Sequence, residues 1–321
     1  MNKTQLQEKL QQFVADGAVL NVELYLQYEV EKQTKTYLPA AEENKLSPAL
    51  GKIVSNQIKS KFFIENENYQ YEIVSAHSAE ANNIRQVFHI SQDKIPKSAS
   101  IFGAVVKDEA EEFPTTLELK DAWGYVFKVD CPEGTIYLWK RNYPVAVINK
   151  DRNYSIFFSN RKLNLFDKDL LRLSNHFDVM LIENELIIIN RSEFEKAFDY
   201  VEAMQTTASE NVKVITKTKL IDVDGLAKIA DLSKNKKTLR KLLNINPKSK
   251  VLTKEPTQIA RLAKKYKVEF NLTDDKKQLL ITTKKAAIAF VEMLNDDYLK
   301  SEFSGSLYKI KGKSIIDDKK K

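Results

Sequence analysis

Apolar residues recur along this chain at two different periods, and the change from one to the other divides it. The opening carries Leu6, Leu10 and Phe13 at helical spacing. LNVELYLQYEV (Leu20 to Val30) then alternates apolar with polar residues, as a half-buried strand does. KTYLPAAEENKLSP, with two prolines and mixed charge, reads as a connecting loop, and a helix follows from Pro48 to Lys61. FFIENENYQYEIVSA and the end of HSAEANNIRQVFHI read as strands, whereas SQDKIPKSASIFGAVVKDEAEEFPTTLELKDAWG mixes turn signals with short apolar stretches and supports no assignment.

From Gly124 the alternation sharpens. GYVFKVD and TIYLWK flank the turn Cys131-Pro132-Glu133-Gly134 and predict a hairpin, with aromatic and β-branched residues on both arms. YSIFFSN, KLNLFD and FDVMLIENELIIIN extend the strand-rich run, the last broken into two arms at Glu183-Asn184-Glu185. Ser192-Glu193-Phe194-Glu195 has the form of a capping box, so a helix is expected from Glu193 with Phe194, Phe198, Val201 and Met204 on its buried stripe.

Beyond MQTTASENVKV, a polar stretch rich in small residues that reads as the domain boundary, the period becomes helical. Helices are predicted over Asp222 to Leu232, Lys236 to Leu243, Pro256 to Tyr266 and Lys284 to Asn295, with short strands at VEFNL, QLLITT and SLYKIKG. The fold class this defines is α/β (α+β). A strand-rich scaffold and partner-binding region over residues 1–205 precedes a smaller, mostly helical basic region over 206–321.

Charge follows the same division. Residues 1–200 hold 24 Lys/Arg against 29 Asp/Glu and residues 201–321 hold 27 against 15, so a net −5 and a net +12 make up the overall +7. A basic half of this kind favours a polyanion, because each neutralised phosphate releases condensed counterions. On the helix in KNKKTLRK, Lys237 and Lys241 lie one turn apart, as do Lys236 and Arg240, with Lys234 just ahead and Leu239, Leu242 and Leu243 facing elsewhere. IARLAKKYK repeats the arrangement, with Ile259, Leu262, Ala263 and Tyr266 on the apolar stripe and Arg261, Lys264 and Lys265 opposite. Either helix alone reads equally well as a solvated face, but two together point to phosphate contacts. Lys outnumbers Arg here, and Lys lacks the bidentate fork that reads bases, so if the polyanion is a nucleic acid and not an anionic membrane face, recognition of its backbone with little sequence specificity is expected.

Chemistry finds less support. The three histidines, His77, His89 and His176, are far apart, and the single Cys131 excludes both a disulfide framework and cysteine-based metal spacings. The eight glycines form no phosphate-cradling loop, and no cofactor is called for. Glu118-Leu119-Lys120 with Asp108 upstream mimics the acid-x-lysine of metal-dependent nucleases, yet composition alone supplies about seven such pairs. His176 close to Asp178 invites a catalytic pairing, against the commoner reading of a satisfied or exposed histidine. Trp123 and Trp139, in the strand-rich region, read as core. The chain is expected to bind rather than catalyse. The alternatives are a nuclease using Glu118 and Lys120, or an adaptor whose basic region meets an anionic membrane or an acidic partner. The polar N-terminus and the lone cysteine point to the cytoplasm.

The stretch SIFFSNRKLNLFDKDLLRLSNHFDVMLIENELIIINRSEFEKAFDYVEAM, Ser155 to Met204, resembles the KwaB-like family, the B component of the Kiwa bacterial anti-phage defence system. The likeness lies in the order of an apolar strand, an FDKDLL turn, an FD-V hairpin and a capped FEKAF helix, over about fifty residues. It implies a self-associating DNA-binding effector, a homodimer or higher oligomer, that interferes with phage DNA replication and late transcription. It also implies recruitment to the inner face of the cell membrane by a membrane-embedded A component. These are packing and capping motifs, so no DNA-contacting residue carries over with them.

Overall fold

The computed structural model describes residues 1–31, 33–40, 46–64, 70–78, 85–143, 147–148, 155–159, 162–166, 170–247, 249–301 and 304–309. Asp167–Asp169 of the FDKDLL turn and the terminal lysine run lie outside the described residues. The chain divides into two compact units, one of Met1–Ala76 with Asn82–Tyr200, the other of His77–Ala81 with Val201–Lys321.

In the first unit the elements are α1 (Lys3–Leu10), β1 (Asn21–Val30), β2 (Gln33–Leu38), α2 (Leu46–Phe62), β3 (Tyr71–Ser75), β4 (Arg85–Ser91), α3 (Pro96–Val106), β5 (Glu111–Glu112), β6 (Gly124–Cys131) and β7 (Gly134–Arg141). They continue with β8 (Val147–Ile148), β9 (Ser155–Ser159), β10 (Lys162–Phe166), β11 (Leu170–Leu171), β12 (Val179–Ile182), β13 (Glu185–Ile188) and α4 (Arg191–Ala197). Nine strands form one mixed sheet in the order β3-β4-β13-β12-β7-β6-β1-β2-β5. Its β3–β4 and β2–β5 pairs are parallel. The strands β9 with β10 and β8 with β11 form two small pairs apart from it.

Strand alternation gives the sheet two buried faces. Val22, Leu26 and Tyr28 of β1 join Leu6, Leu10 and Phe13 of the N-terminal segment and Leu50, Val54 and Ile58 of α2 in one core. On the opposite face Gln27, fully buried, donates from Nε2 to the Ile101 carbonyl of α3 at 2.6 Å and accepts from Trp139 Nε1 at 2.9 Å. Phe102 and Phe198 pack there against Tyr137 and Trp139. A glutamine is tolerated in this core because its amide is satisfied on both atoms.

The β6–β7 hairpin forms as its pattern predicts, closing on Cys131 paired with Gly134. The arms β12 and β13 likewise close at Ile182 and Glu185 through Glu183, which adopts a left-handed φ of 53°. The structure departs from the sequence pattern at several places. Lys35 to Leu38 is not loop: β2 pairs with β1 from Gln33 to Tyr37 around a turn in which Glu31 takes φ 51°. The unassigned stretch contains α3, whose first helical residue is Pro96, where the missing N–H costs nothing. The cap of α4 is Asn190, whose side chain accepts from the Glu193 amide, so Ser192 lies inside the helix. The helix is also interrupted, because Asp199 turns left-handed (φ 50°) between α4 and α5.

The second unit holds α5 (Tyr200–Lys217), α6 (Val223–Ala230), α7 (Lys236–Leu243), α8 (Pro256–Lys265), β14 (Asn271–Leu272), β15 (Leu279–Leu280), α9 (Lys284–Leu294), β16 (Tyr298–Lys300) and β17 (Leu307–Lys309). The stretch MQTTASENVKV, read as the domain boundary, is helical and forms the body of α5. Its Thr206 and Thr207 hydroxyls donate to the carbonyls of Glu202 and Ala203, so polar residues are satisfied within the helix. Met204, Ala208, Asn211 and Ile215 are buried. Asn211 Nδ2 donates to the Leu242 carbonyl at 2.8 Å and so satisfies the C-terminal end of α7. Gly225 lets α6 approach closely, since a Cβ there would lie 2.5 Å from Asp222 Oδ1 and 2.7 Å from Ile221 Cγ2.

Candidate nucleic-acid interface

The apolar stripe of α7 fixes where its cations point. Leu239, Leu242 and Leu243 are buried, which turns Lys236 and Lys237 to solvent. Helix α8 behaves the same way: Ile259 and Ala263 are buried, Leu262 and Tyr266 half-buried, and Arg261, Lys264 and Lys265 exposed. Asn235 caps α7 through the Lys237 amide, and Pro256 opens α8.

The eight cations picked out by spacing do not share one environment. Lys237, Arg261, Lys264 and Lys265 are exposed, with no ion pair among the described residues. Lys234 sits in the short 3-10 turn before α7 and pairs with Asp231 at 2.7 Å, both side chains largely in solvent. Lys236 is exposed and Arg240 half-buried on the same helix. Lys241 departs from the phosphate-facing role. Its ammonium lies 2.7 Å from Oε1 of Glu292 on α9, and that carboxylate is 2 % exposed.

Glu292 is the residue that spacing alone missed. Its other oxygen accepts from Tyr298 at 2.9 Å and pairs with Lys309 at 2.8 Å, so one buried carboxylate joins α7, α9 and the β16–β17 hairpin. Burial pushes the Glu292 carboxyl up, but the hydrogen bonds from Lys241, Lys309 and Tyr298 outweigh it and hold it below the usual carboxylate range. Asn295 adds a bond from Nδ2 to the Lys241 carbonyl at 2.9 Å. The one available signal was an acid directly beside the apolar stripe Ala287, Phe290, Val291 and Leu294.

The nuclease-like residues are occupied otherwise. Lys120 pairs with Glu118 itself, and Asp108 pairs with Lys128 at 2.6 Å. Among the described residues no three His, Cys, Asp or Glu side chains gather to hold a metal ion. His176 and Asp178 do meet, through a third residue. Lys140 Nζ bonds both Asp178 oxygens at 2.9 and 3.1 Å and lies 3.2 Å from His176 Nε2. An ammonium has only donors, so Nε2 is the acceptor and Nδ1 carries the proton toward Ser174 Oγ, 3.0 Å away. That tautomer leaves His176 unable to take a proton from Ser174. Burial, and then the Lys140 charge, lower the imidazole pKa and keep the ring neutral. Trp139 is core as expected, but Trp123 is only half-buried and carries the Arg141 guanidinium 4.8 Å from its ring centre.

The first unit is thus a mixed sheet with helices on both faces, and the second a basic helical unit whose cations stand on two amphipathic helices. No described helix is long and apolar enough to cross a membrane. The family model for Kiwa protein KwaB-like sequences matches residues 119–304, more than half of the chain, and the chain belongs to that family. The matched span runs from just before β6 through α7 and α8. Kiwa protein KwaB of Escherichia coli O55:H7 (strain RM12579 / EPEC) is 25% identical over 207 residues, 62% of this chain. The match spans 64% of that relative's length. No solved structure matches.

Proposed function

We propose that this chain is the DNA-holding component of a Kiwa-type anti-phage defence, binding the phosphate backbone with little sequence specificity. The observation that carries the reading is the set of exposed cations Lys237, Arg261, Lys264 and Lys265 on two amphipathic helices within residues 201–321, a stretch with net charge +12. Lys234, Lys236 and Arg240 add to the potential around α7, and Lys241 supports it from behind. Point charges on lysine stems contact phosphates without selecting among bases. The effect on the phage would be occlusion, with bound protein blocking replication and transcription.

The reading includes a membrane-embedded A component that recruits the chain to the inner face of the membrane, and self-association that multiplies weak contacts into firm retention. It is a binding function and not a catalytic one: the Glu118–Lys120 and Asp108–Lys128 pairs, and the tautomer of His176, favour structural work for those residues. The test is a gel shift with duplex DNA of unrelated sequences. Charge reversal at Lys237, Arg261, Lys264 and Lys265 together abolishes retention, with thermal unfolding unchanged. Retention that survives this variant at moderate salt removes the two helices from the account.

A further inference from the structure

Charged side chains are expensive to bury, and the first unit concentrates that expense at one place. Its buried charged residues among those described are Lys140, Asp178, Arg191 and Glu193, and three of these line or underlie a single concavity of about 460 Å³. It lies where β7 ends, β12 is about to begin and α4 starts, and it is open to solvent. The volume is that of a small-molecule site.

The polar groups in the wall do not cancel. Asp178 is answered by the Lys140 ammonium, the Arg141 amide at 3.0 Å and Asn190 Nδ2 at 3.1 Å. Glu193 is answered by the Tyr143 hydroxyl and by Lys196 at 3.2 Å, and these bonds hold its carboxyl below the usual range against the opposing effect of burial. Two guanidiniums of the lining, Arg141 and Arg172, make no direct ion pair among the described residues, and Arg141 meets a carboxylate only through space, where its charge helps hold Glu193 ionised. Arg141 is held against the Trp123 ring, so its fork is oriented before any ligand arrives. The Tyr125 hydroxyl, in the floor, accepts the Ser174 amide at 3.0 Å and keeps its own proton. Asn142 is 4 % exposed and spends its Nδ2 on the Ala122 carbonyl, which leaves its Oδ1 to accept.

From this arrangement we infer that the concavity is a binding site for a small phosphorylated ligand of mononucleotide size. Arg141 and Arg172 take the phosphate, Tyr125 donates to it, Asn142 accepts from a base or sugar, and the half-exposed Tyr143 ring forms the rim. Guanidinium suits the anion because its planar fork matches two phosphate oxygens at once. The site is lined by residues of the first unit alone, whereas α7 and α8 belong to the second.

Isothermal titration of the full chain with AMP, ATP, inorganic phosphate and adenosine tests the inference, with thermal unfolding as a second readout. Both nucleotides bind and raise the unfolding temperature, phosphate binds weakly, and adenosine does neither. Arg172→Gln, a change at an exposed residue, weakens AMP about tenfold with stability unchanged, and Arg141→Gln does the same or more. Lys237→Glu with Lys264→Glu leaves AMP binding intact, which separates this site from the DNA interface. The inference is overturned if no phosphorylated probe binds at millimolar concentration. It is equally overturned if affinity is unchanged in both arginine variants, or if adenosine binds as well as AMP.

Discussion

Lys237 and Lys241 are neighbours one helical turn apart on α7, identical in type, and the structure gives them different work. Lys237 is exposed with no ion pair among the described residues, whereas Lys241 neutralises a carboxylate that is almost fully buried. Removing one partner of a buried ion pair costs about 3 to 5 kcal/mol where the surviving charge is left alone. Glu292 keeps Lys309 and the Tyr298 hydroxyl, and Lys241 is itself 29% exposed, so about 2 kcal/mol is the expected loss for Lys241→Ala. Lys237→Ala should change stability by less than about 0.5 kcal/mol, as surface substitutions do. On DNA the order reverses. Losing one phosphate contact lowers the slope of log K against log salt by about 0.9, which is expected of Lys237→Ala and not of Lys241→Ala. Urea unfolding and salt-dependent fluorescence anisotropy on both variants read the two quantities separately. Equal stability with equal loss of slope would refute the division of labour and return Lys241 to the DNA-facing set.

Other outcomes follow from particular contacts. Gln27→Leu strands the Trp139 indole N–H and one acceptor contact of the Ile101 carbonyl, and should lower stability by about 2 to 3 kcal/mol in denaturant titration; an unchanged midpoint would show that the amide is dispensable. Gly225→Ala drives a methyl into Asp222 and Ile221, outweighing the gain of about 1 kcal/mol in helix propensity, and should lower the unfolding temperature of the second unit. A higher temperature would mean that α6 can shift. The Glu292 carboxyl is held below its ordinary value in the folded state, so its contribution is full above the unfolded glutamate pKa of about 4.3 and disappears as pH falls through the lower folded value. Stability should therefore fall on the acid side, and Glu292→Gln should flatten that limb; an equally steep limb in the variant assigns it to other carboxylates.

Much of the fold was legible where one period dominates. The β6–β7 and β12–β13 hairpins follow from alternation and a short polar turn, and α7 and α8 from leucines and cations that separate cleanly around the helix. Elements whose signals compete were not. Strand β2 was hidden because its turn uses Glu31 in a left-handed conformation where glycine or asparagine is the usual sign. Helix α5 was hidden because its polar and small residues suggest a domain boundary, although Met204, Ala208, Asn211 and Ile215 already marked a buried stripe at helical spacing. The order of the nine strands depends on long-range pairing, such as β13 with β4, that no local pattern encodes. Residue spacing found the cations of the candidate interface but not their partners. Lys241 resembles Lys237 until Glu292, 51 residues away, comes beside it.

The central claim is that the basic unit holds nucleic acid by its phosphates, and the salt dependence of affinity for duplex DNA tests it most directly. The account predicts a linear fall of log K with log salt and the same slope for unrelated sequences. The variant with Lys237, Arg261, Lys264 and Lys265 neutralised to Gln should lose about 3 to 4 from that slope. Affinity that is insensitive to salt, or a slope unaltered by removing these four charges, would contradict it.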